Sequence, residues 1–156
     1  KDRPWYYEQN ELGYNYRITE IQAAMGIVQI SRLSSFVRRR NEISKLYKEK
    51  LRNLPLKFQL IDGNSLCSYH LFTVKITDKN YDRDELFRFL KSHKVASQVH
   101  YIPVYHQPFY RSLGFSKDYC DNVEEYFSSC LSIPLHQKLD EGDIDFVAKK
   151  LTNFFS

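Results

Sequence analysis

The stretch Gly13-Tyr14-Asn15-Tyr16-Arg17-Ile18-Thr19-Glu20-Ile21-Gln22-Ala23-Ala24-Met25-Gly26 sets the frame for the whole chain. Its first half is aromatic and polar behind a glycine, a composition that suits neither packed core nor plain solvated surface. Its second half starts a helix. Thr19 and Gln22 stand at capping-box spacing, where hydroxyl and amide satisfy orphan amides of the first turn, and Ile18 is placed to staple that turn. Asn15 and Arg17 therefore sit just ahead of a helix start, able to accept from and donate to an anion beside the positive end of the helix dipole. A capping asparagine with a surface arginine is the plainer alternative, and on these residues alone it is the favoured one.

Downstream, Ile21, Ala24, Met25, Ile27, Val28 and Ile30 occupy more than one stripe, which predicts a helix buried on several sides or packed against a second subunit. The pattern breaks at Ser34-Ser35. Phe36, Ile43, Leu46, Tyr47, Leu51 and Leu54 then mark one face of a second helix, stopped by Pro55. Arg38-Arg39-Arg40 on its other face reads as a solvated or interface-edge run, and phosphate contact is the less favoured reading.

Beyond Pro55 the period changes to two. Leu56, Phe58 and Leu60 alternate with polar residues, Asp62-Gly63-Asn64-Ser65 signals a turn, and His70, Phe72, Val74 and Ile76 share a face, so a hairpin is expected. Asp82 with Glu85 caps a helix carrying Leu86, Phe87, Phe89 and Leu90, and Val95 to Val99 should return as a strand. An irregular loop between Pro103 and Pro108, a short helix around Val123, Tyr126 and Phe127, and an edge strand over Leu131–Leu135 follow. Asp140 caps a last helix with Ile144, Val147, Leu151 and Phe154 on its buried stripe. The fold class is α+β: an N-terminal helical arm, then a small antiparallel or mixed sheet packed by helices. Residues 1–54 form a helical dimer-contact and connecting segment, and residues 55–156 a small C-terminal α+β domain.

Composition narrows the function. The 156 residues, 42% hydrophobic and 27% charged, fit one soluble globular core, and an aromatic share of 15% favours wide contact surfaces such as a subunit interface. A net charge of +4 is spread too thinly to argue for nucleic acid. Three cysteines, Cys67, Cys120 and Cys130, suit reduced thiols in a cytoplasmic protein better than a disulfide framework. No apolar run reaches the roughly 20 residues of a membrane span. The chain opens on Lys1-Asp2-Arg3-Pro4 without an initiator Met, which suggests a piece of a longer polypeptide.

The second dense motif is Gln98-Val99-His100-Tyr101-Ile102-Pro103, where two rings that can hydrogen-bond a ligand leave a regular element just before a breaker. His100 and His106, or Cys67-x-x-His70, lack the further donors of a zinc site, and packed or hydrogen-bonded histidines are the simpler account. No nucleophile elbow, P-loop or dinucleotide fingerprint is present, so the chain reads as part of a site.

The Gly13–Gly26 stretch resembles the "GYNYR(M/L)-x-(D/E)-IQAA-x-G" segment of the pyridoxal-phosphate-dependent nucleotide-sugar aminotransferases of the DegT-like, fold-type I family. Gln29-Ile30-x-x-Leu33, Arg38-Arg39-Arg40, Gln98-Val99-His100-Tyr101-Ile102-Pro103-Val104-Tyr105, Pro108-Phe109-Tyr110 and Leu131-Ser132-Ile133-Pro134-Leu135-His136 follow in that family's order. The resemblance implies a C-terminal portion of such an enzyme, acting as a homodimer with pyridoxal 5'-phosphate. Asn15, supported by Arg17, would reach across the dimer toward the cofactor phosphate, and Gln98, Val99, His100 and Tyr101 would line the nucleotide-sugar site. The wording around His100 is most similar to the branch serving pseudaminic acid synthesis, which aminates a UDP-linked 4-keto-6-deoxy sugar with glutamate as donor. The family's Schiff-base lysine motif has no match here, so the 156 residues alone should be inactive, with no catalytic residue of their own. Two other readings stay open: a non-catalytic module binding a nucleotide sugar or a partner, and a single-strand nucleic-acid binder suggested by Tyr and Arg density.

Overall fold

The computed structural model describes residues 11–14, 16–115 and 120–156. Asn15 lies outside the described residues. Two compact units divide within the first helix, one ending at Leu33 and the other running from Ser34 to Ser156.

Helix α1 spans Glu20–Lys50 and opens with the expected reciprocal cap. Gln22 N donates to Thr19 Oγ1 at 3.3 Å, and Thr19 N donates to Gln22 Oε1 at 3.0 Å. The break expected at Ser34-Ser35 is absent, and α1 runs through it as 31 continuous residues. Serine weakens a helix by only several tenths of a kcal/mol relative to alanine, and no proline or glycine stands there to stop it. The change of apolar pattern instead marks a change of surroundings. In the first unit Ile21, Met25, Ile27, Val28 and Ile30 are all exposed, so within this chain the predicted burial does not occur.

In the second unit the later part of α1 enters a core. Ile43 and Tyr47 are fully buried, as is Leu51 just past the helix end. The sheet has three antiparallel strands in the order β1 (Leu56–Phe58), β2 (Phe72–Ile76), β3 (Cys130–Ile133). Register pairs Leu56 with Ile76 and Phe58 with Val74 on one side, and Phe72 with Ile133 and Val74 with Leu131 on the other. Alternation then sends Phe72, Val74, Ile76, Leu131 and Ile133 to the core face. There they meet α1, α2 (Arg83–Ser92) and α5 (Glu141–Phe154), whose Leu86, Leu90, Ile144 and Leu151 are fully buried. Thr73, Lys75, Cys130 and Ser132 point the opposite way, toward α4 (Asp121–Ser129), where Lys75 Nζ donates to Glu125 Oε1 at 2.6 Å. A one-turn helix, α3 (Pro108–Ser112), precedes α4.

Both later caps form as the sequence dictates. Asp82 accepts from Glu85 N at 2.9 Å, and Asp140 from Asp143 N at 2.8 Å within a capping box.

Three expectations are corrected. His70 is exposed and lies outside β2, because Tyr69 adopts a φ of 46° and turns the chain before the strand alternation begins. Val95–Val99 is not a strand; only Gln98 pairs, with Ser132. Gln98 spends both its amide and its carbonyl on Ser132, so the next amide, that of Val99, points away from β3 and is met by the side-chain oxygen of Gln98 at 3.0 Å. The arginine run is not a simple solvated face either. Arg39 Nη2 donates to the carbonyl of Leu139 at 2.8 Å, and Arg40 Nη1 donates to the carbonyls of Tyr69 at 2.7 Å and His70 at 3.2 Å. Two of the three arginines thus tie connecting segments to α1.

Candidate functional site

In the second unit, the segment after α2 is brought to the open margin of β3 by one residue pair. Gln98 N donates to Ser132 O at 3.1 Å and Ser132 N to Gln98 O at 2.9 Å, a closed antiparallel couple. That couple sets His100 alongside the same serine. His100 Nδ1 lies 2.9 Å from Ser132 Oγ, which lies 3.3 Å from Thr73 Oγ1 on the neighbouring strand. The His100–Tyr101 peptide bond is cis, and the two rings meet edge to face at 4.6 Å.

Of the residues singled out as a nucleotide-sugar wall, Gln98 and His100 line one cleft of about 190 Å³ together with His70, Ser97, Ser132 and Pro134. Tyr101, 69% exposed, projects outward, while Val99 is half-buried against the core. The cleft therefore offers imidazole, amide and hydroxyl groups in a recess walled largely by apolar side chains such as Leu71, Ile133 and Leu135, chemistry that suits a sugar or base with both apolar faces and hydrogen-bonding groups. Ser132 lies in the Leu131–His136 motif but is not among the residues that the sequence singled out for the site. Its signal is a polar residue between Leu131 and Ile133 in a strand, where the pleat turns it to the other face from two core side chains.

His106 is engaged elsewhere. Its Nε2 lies 2.7 Å from Glu124 Oε1, joining the turn Val104–His106 to α4, with Phe127 edge-on at 5.6 Å. Arg17, in the first unit, is exposed and stands three residues ahead of the first helical residue, Glu20. A guanidinium ahead of a helix start, near the positive end of the helix dipole, is chemically suited to a phosphate group.

A larger cavity, about 1070 Å³, opens beside the β1–β2 connection and is lined in part by Lys48, Cys67, Lys75, Tyr126 and Cys130. Gln98 and His100 do not border it. Burial pushes the Cys130 thiol above its ordinary pKa, leaving a protonated, poorly nucleophilic sulfur. The hydrogen bond from Lys75 holds the Glu125 carboxyl below its usual range and raises the lysine in turn, so this pair stays ionised rather than serving as acid or base. Among the described residues no cluster of three or more His, Cys, Asp or Glu could hold a metal ion, and no helix is long and apolar enough to cross a membrane.

The described residues thus present an α+β unit with a histidine-bearing segment against the edge of a three-stranded sheet, and a capped helix start earlier in the chain. Residues 1–152 match the DegT/DnrJ/EryC1/StrS aminotransferase family, and the chain belongs to it. Among relatives, it is 32% identical over 153 residues to UDP-4-amino-4,6-dideoxy-N-acetyl-beta-L-altrosamine transaminase of Campylobacter jejuni, covering 97% of this chain and 40% of that protein. The sugar aminotransferase Spr1654 of Streptococcus pneumoniae, solved in its PLP form, superposes with a TM-score of 0.86 at 24% identity, over 96% of this chain and 39% of its own; that likeness speaks for the fold alone. The aminotransferase TlmJ of Streptoalloteichus hindustanus superposes with a TM-score of 0.81 at 27% identity, over 94% of this chain and 39% of its own. The chain thus spans about two fifths of the length of the proteins it matches.

Proposed function

We propose that this chain is the C-terminal part of a pyridoxal-phosphate-dependent aminotransferase that moves the amino group of glutamate onto a UDP-linked 4-keto-6-deoxy sugar, in pseudaminic acid or related amino-sugar synthesis. The carrying observation is the Gln98–His100 cleft, presented on the fold of this family by a motif in the family's order. The similarity to the Campylobacter jejuni transaminase favours a UDP-sugar.

In this reading Gln98 and His100 bind and orient the sugar nucleotide, Tyr101 offers an exposed ring for stacking, and Val99 fixes the segment by its hold on the core. Arg17, with Asn15, holds the phosphate of the cofactor. When bound, pyridoxal phosphate supplies the electron sink for amino transfer, and the protein contributes position and charge. The exposed apolar residues Ile21, Met25, Ile27, Val28 and Ile30 of α1 are the contact surface of a homodimer and of the remainder of the polypeptide. Residues 1–54 form that contact segment and residues 55–156 the small domain, in a cytoplasmic enzyme. The 156 residues alone are inactive.

The whole protein, supplied with pyridoxal phosphate, glutamate and a panel of UDP-4-keto-6-deoxy sugars, is expected to form 2-oxoglutarate and an amino sugar in equal amounts. Lack of amino-sugar product across the panel rejects the assignment. The 156-residue segment under the same conditions is expected to give no turnover.

A further inference from the structure

We infer that Ser132 is a positioning residue for substrate recognition: its buried hydroxyl fixes the ring of His100 so that Nε2 is presented to the cleft. This rests on the reading of His100 as part of the nucleotide-sugar wall. Ser132 is 5% exposed and cannot itself meet a ligand freely. Its backbone amide and carbonyl are both bonded to Gln98, and across the sheet it faces Thr73 in β2. The side chain is held as well, between Thr73 Oγ1 at 3.3 Å and His100 Nδ1 at 2.9 Å.

That arrangement determines what His100 can do. A serine hydroxyl both donates and accepts, so the Thr73–Ser132 pair can relay in either direction. With Thr73 donating to Ser132 and Ser132 to Nδ1, the outer Nε2 carries the proton and donates to a ligand oxygen. With Nδ1–H donating to Ser132 and Ser132 to Thr73, the outer Nε2 accepts from a ligand hydroxyl or amide. In both cases Nδ1 is occupied, the ring is fixed in plane, and Nε2 is the free edge. Ordering the ring before binding removes a rotamer cost that the ligand would otherwise bear.

The test is a double-mutant cycle in the whole holoenzyme, with KM for the UDP-sugar and kcat as separate readouts. Ser132→Ala is expected to raise KM about tenfold, the equivalent of one ordinary hydrogen bond, with kcat within about twofold. His100→Ala raises KM by at least as much, and the double variant is no worse than His100→Ala alone, because Ser132 acts through the ring. Ser132→Thr, which keeps the hydroxyl and suits a strand, restores KM. Nitrogen-15 spectra of the imidazole read the device directly: the His100 tautomer signature is sharp in the parent protein and becomes an averaged signal in Ser132→Ala. Additive effects of the two alanine variants, or a Ser132→Ala protein with unchanged KM and unchanged imidazole spectrum, overturn the inference. If His100→Ala itself leaves KM unchanged in an active enzyme, the placement of His100 in the substrate wall fails instead, and the inference falls with it. A general packing loss in Ser132→Ala would lower kcat and the melting temperature without altering the tautomer signature, and that outcome also counts against it.

Discussion

Tyr47→Ala is expected to lower the unfolding free energy by about 3–5 kcal/mol, read as a lower urea midpoint. The ring is fully buried and stacks on Phe72 with centroids 5.4 Å apart, linking α1 to the central strand. Removing it opens a cavity where helix and sheet meet, and close-packed neighbours relax only in part. Tyr47→Phe should behave in the opposite sense. The phenol oxygen is buried with no hydrogen-bond partner among the described residues, so deleting it removes a desolvation penalty and keeps the stacking, for a change between zero and a gain of about 1 kcal/mol.

The same residue gives a pH dependence. Burial, and secondarily the charge of Asp143, raises the Tyr47 pKa above its ordinary value of 10.0. In the unfolded chain the phenol loses its proton above about pH 10, while the folded state keeps it, so the unfolded state binds fewer protons there. Stability is therefore full below pH 10 and falls as pH rises beyond it, by up to about 1.4 kcal/mol per pH unit for one group. The gap between parent and Tyr47→Phe stability, flat at pH 7 to 9, should widen above pH 10. A constant gap over that interval excludes Tyr47 as the source.

Arg40→Ala should be the most damaging of the arginine-run substitutions, costing about 2–3 kcal/mol, the scale of a hydrogen bond made by a charged group. Its guanidinium holds two consecutive carbonyls, those of Tyr69 and His70, at the point where φ turns positive and the chain enters β2. Without it, two carbonyls lose their donor and the connection before β2 loosens. Hydrogen exchange should show faster exchange across residues 66–72 than across β3. Arg40→Lys should recover only part of the stability, since one ammonium replaces a planar fork. Arg38→Ala, at an exposed position, is expected to change stability by less than about 0.5 kcal/mol.

What could be read from the sequence follows the range of each interaction. The caps at Thr19, Asp82 and Asp140 involve residues three apart, and all three are formed. The β1–β2 pairing follows from two alternating runs on either side of a turn. The errors arise where a long-range partner decides. Nothing local says that Ser34-Ser35 is the passage of one helix from one set of surroundings to another. The use of Arg39 and Arg40 was hidden because their acceptors, the carbonyls of Leu139 and Tyr69, are 100 and 29 residues away. Of the candidate site, Gln98 and His100 were legible as a polar and aromatic motif, whereas their gathering at Ser132 depends on the bridge of Gln98 to Ser132 and on the His100–Ser132 side-chain contact, which spans 32 residues.

The margins of the sheet carry one last consequence. Along β3 the outer amide and carbonyl of Ser132 are already spent on Gln98, and at the other border β1 is three residues long, bears Lys57 and follows directly on Pro55. Neither border leaves a long run of vacant amides on which a stray extended segment could zip up. Fibril-like association through the folded sheet is therefore disfavoured by its outline.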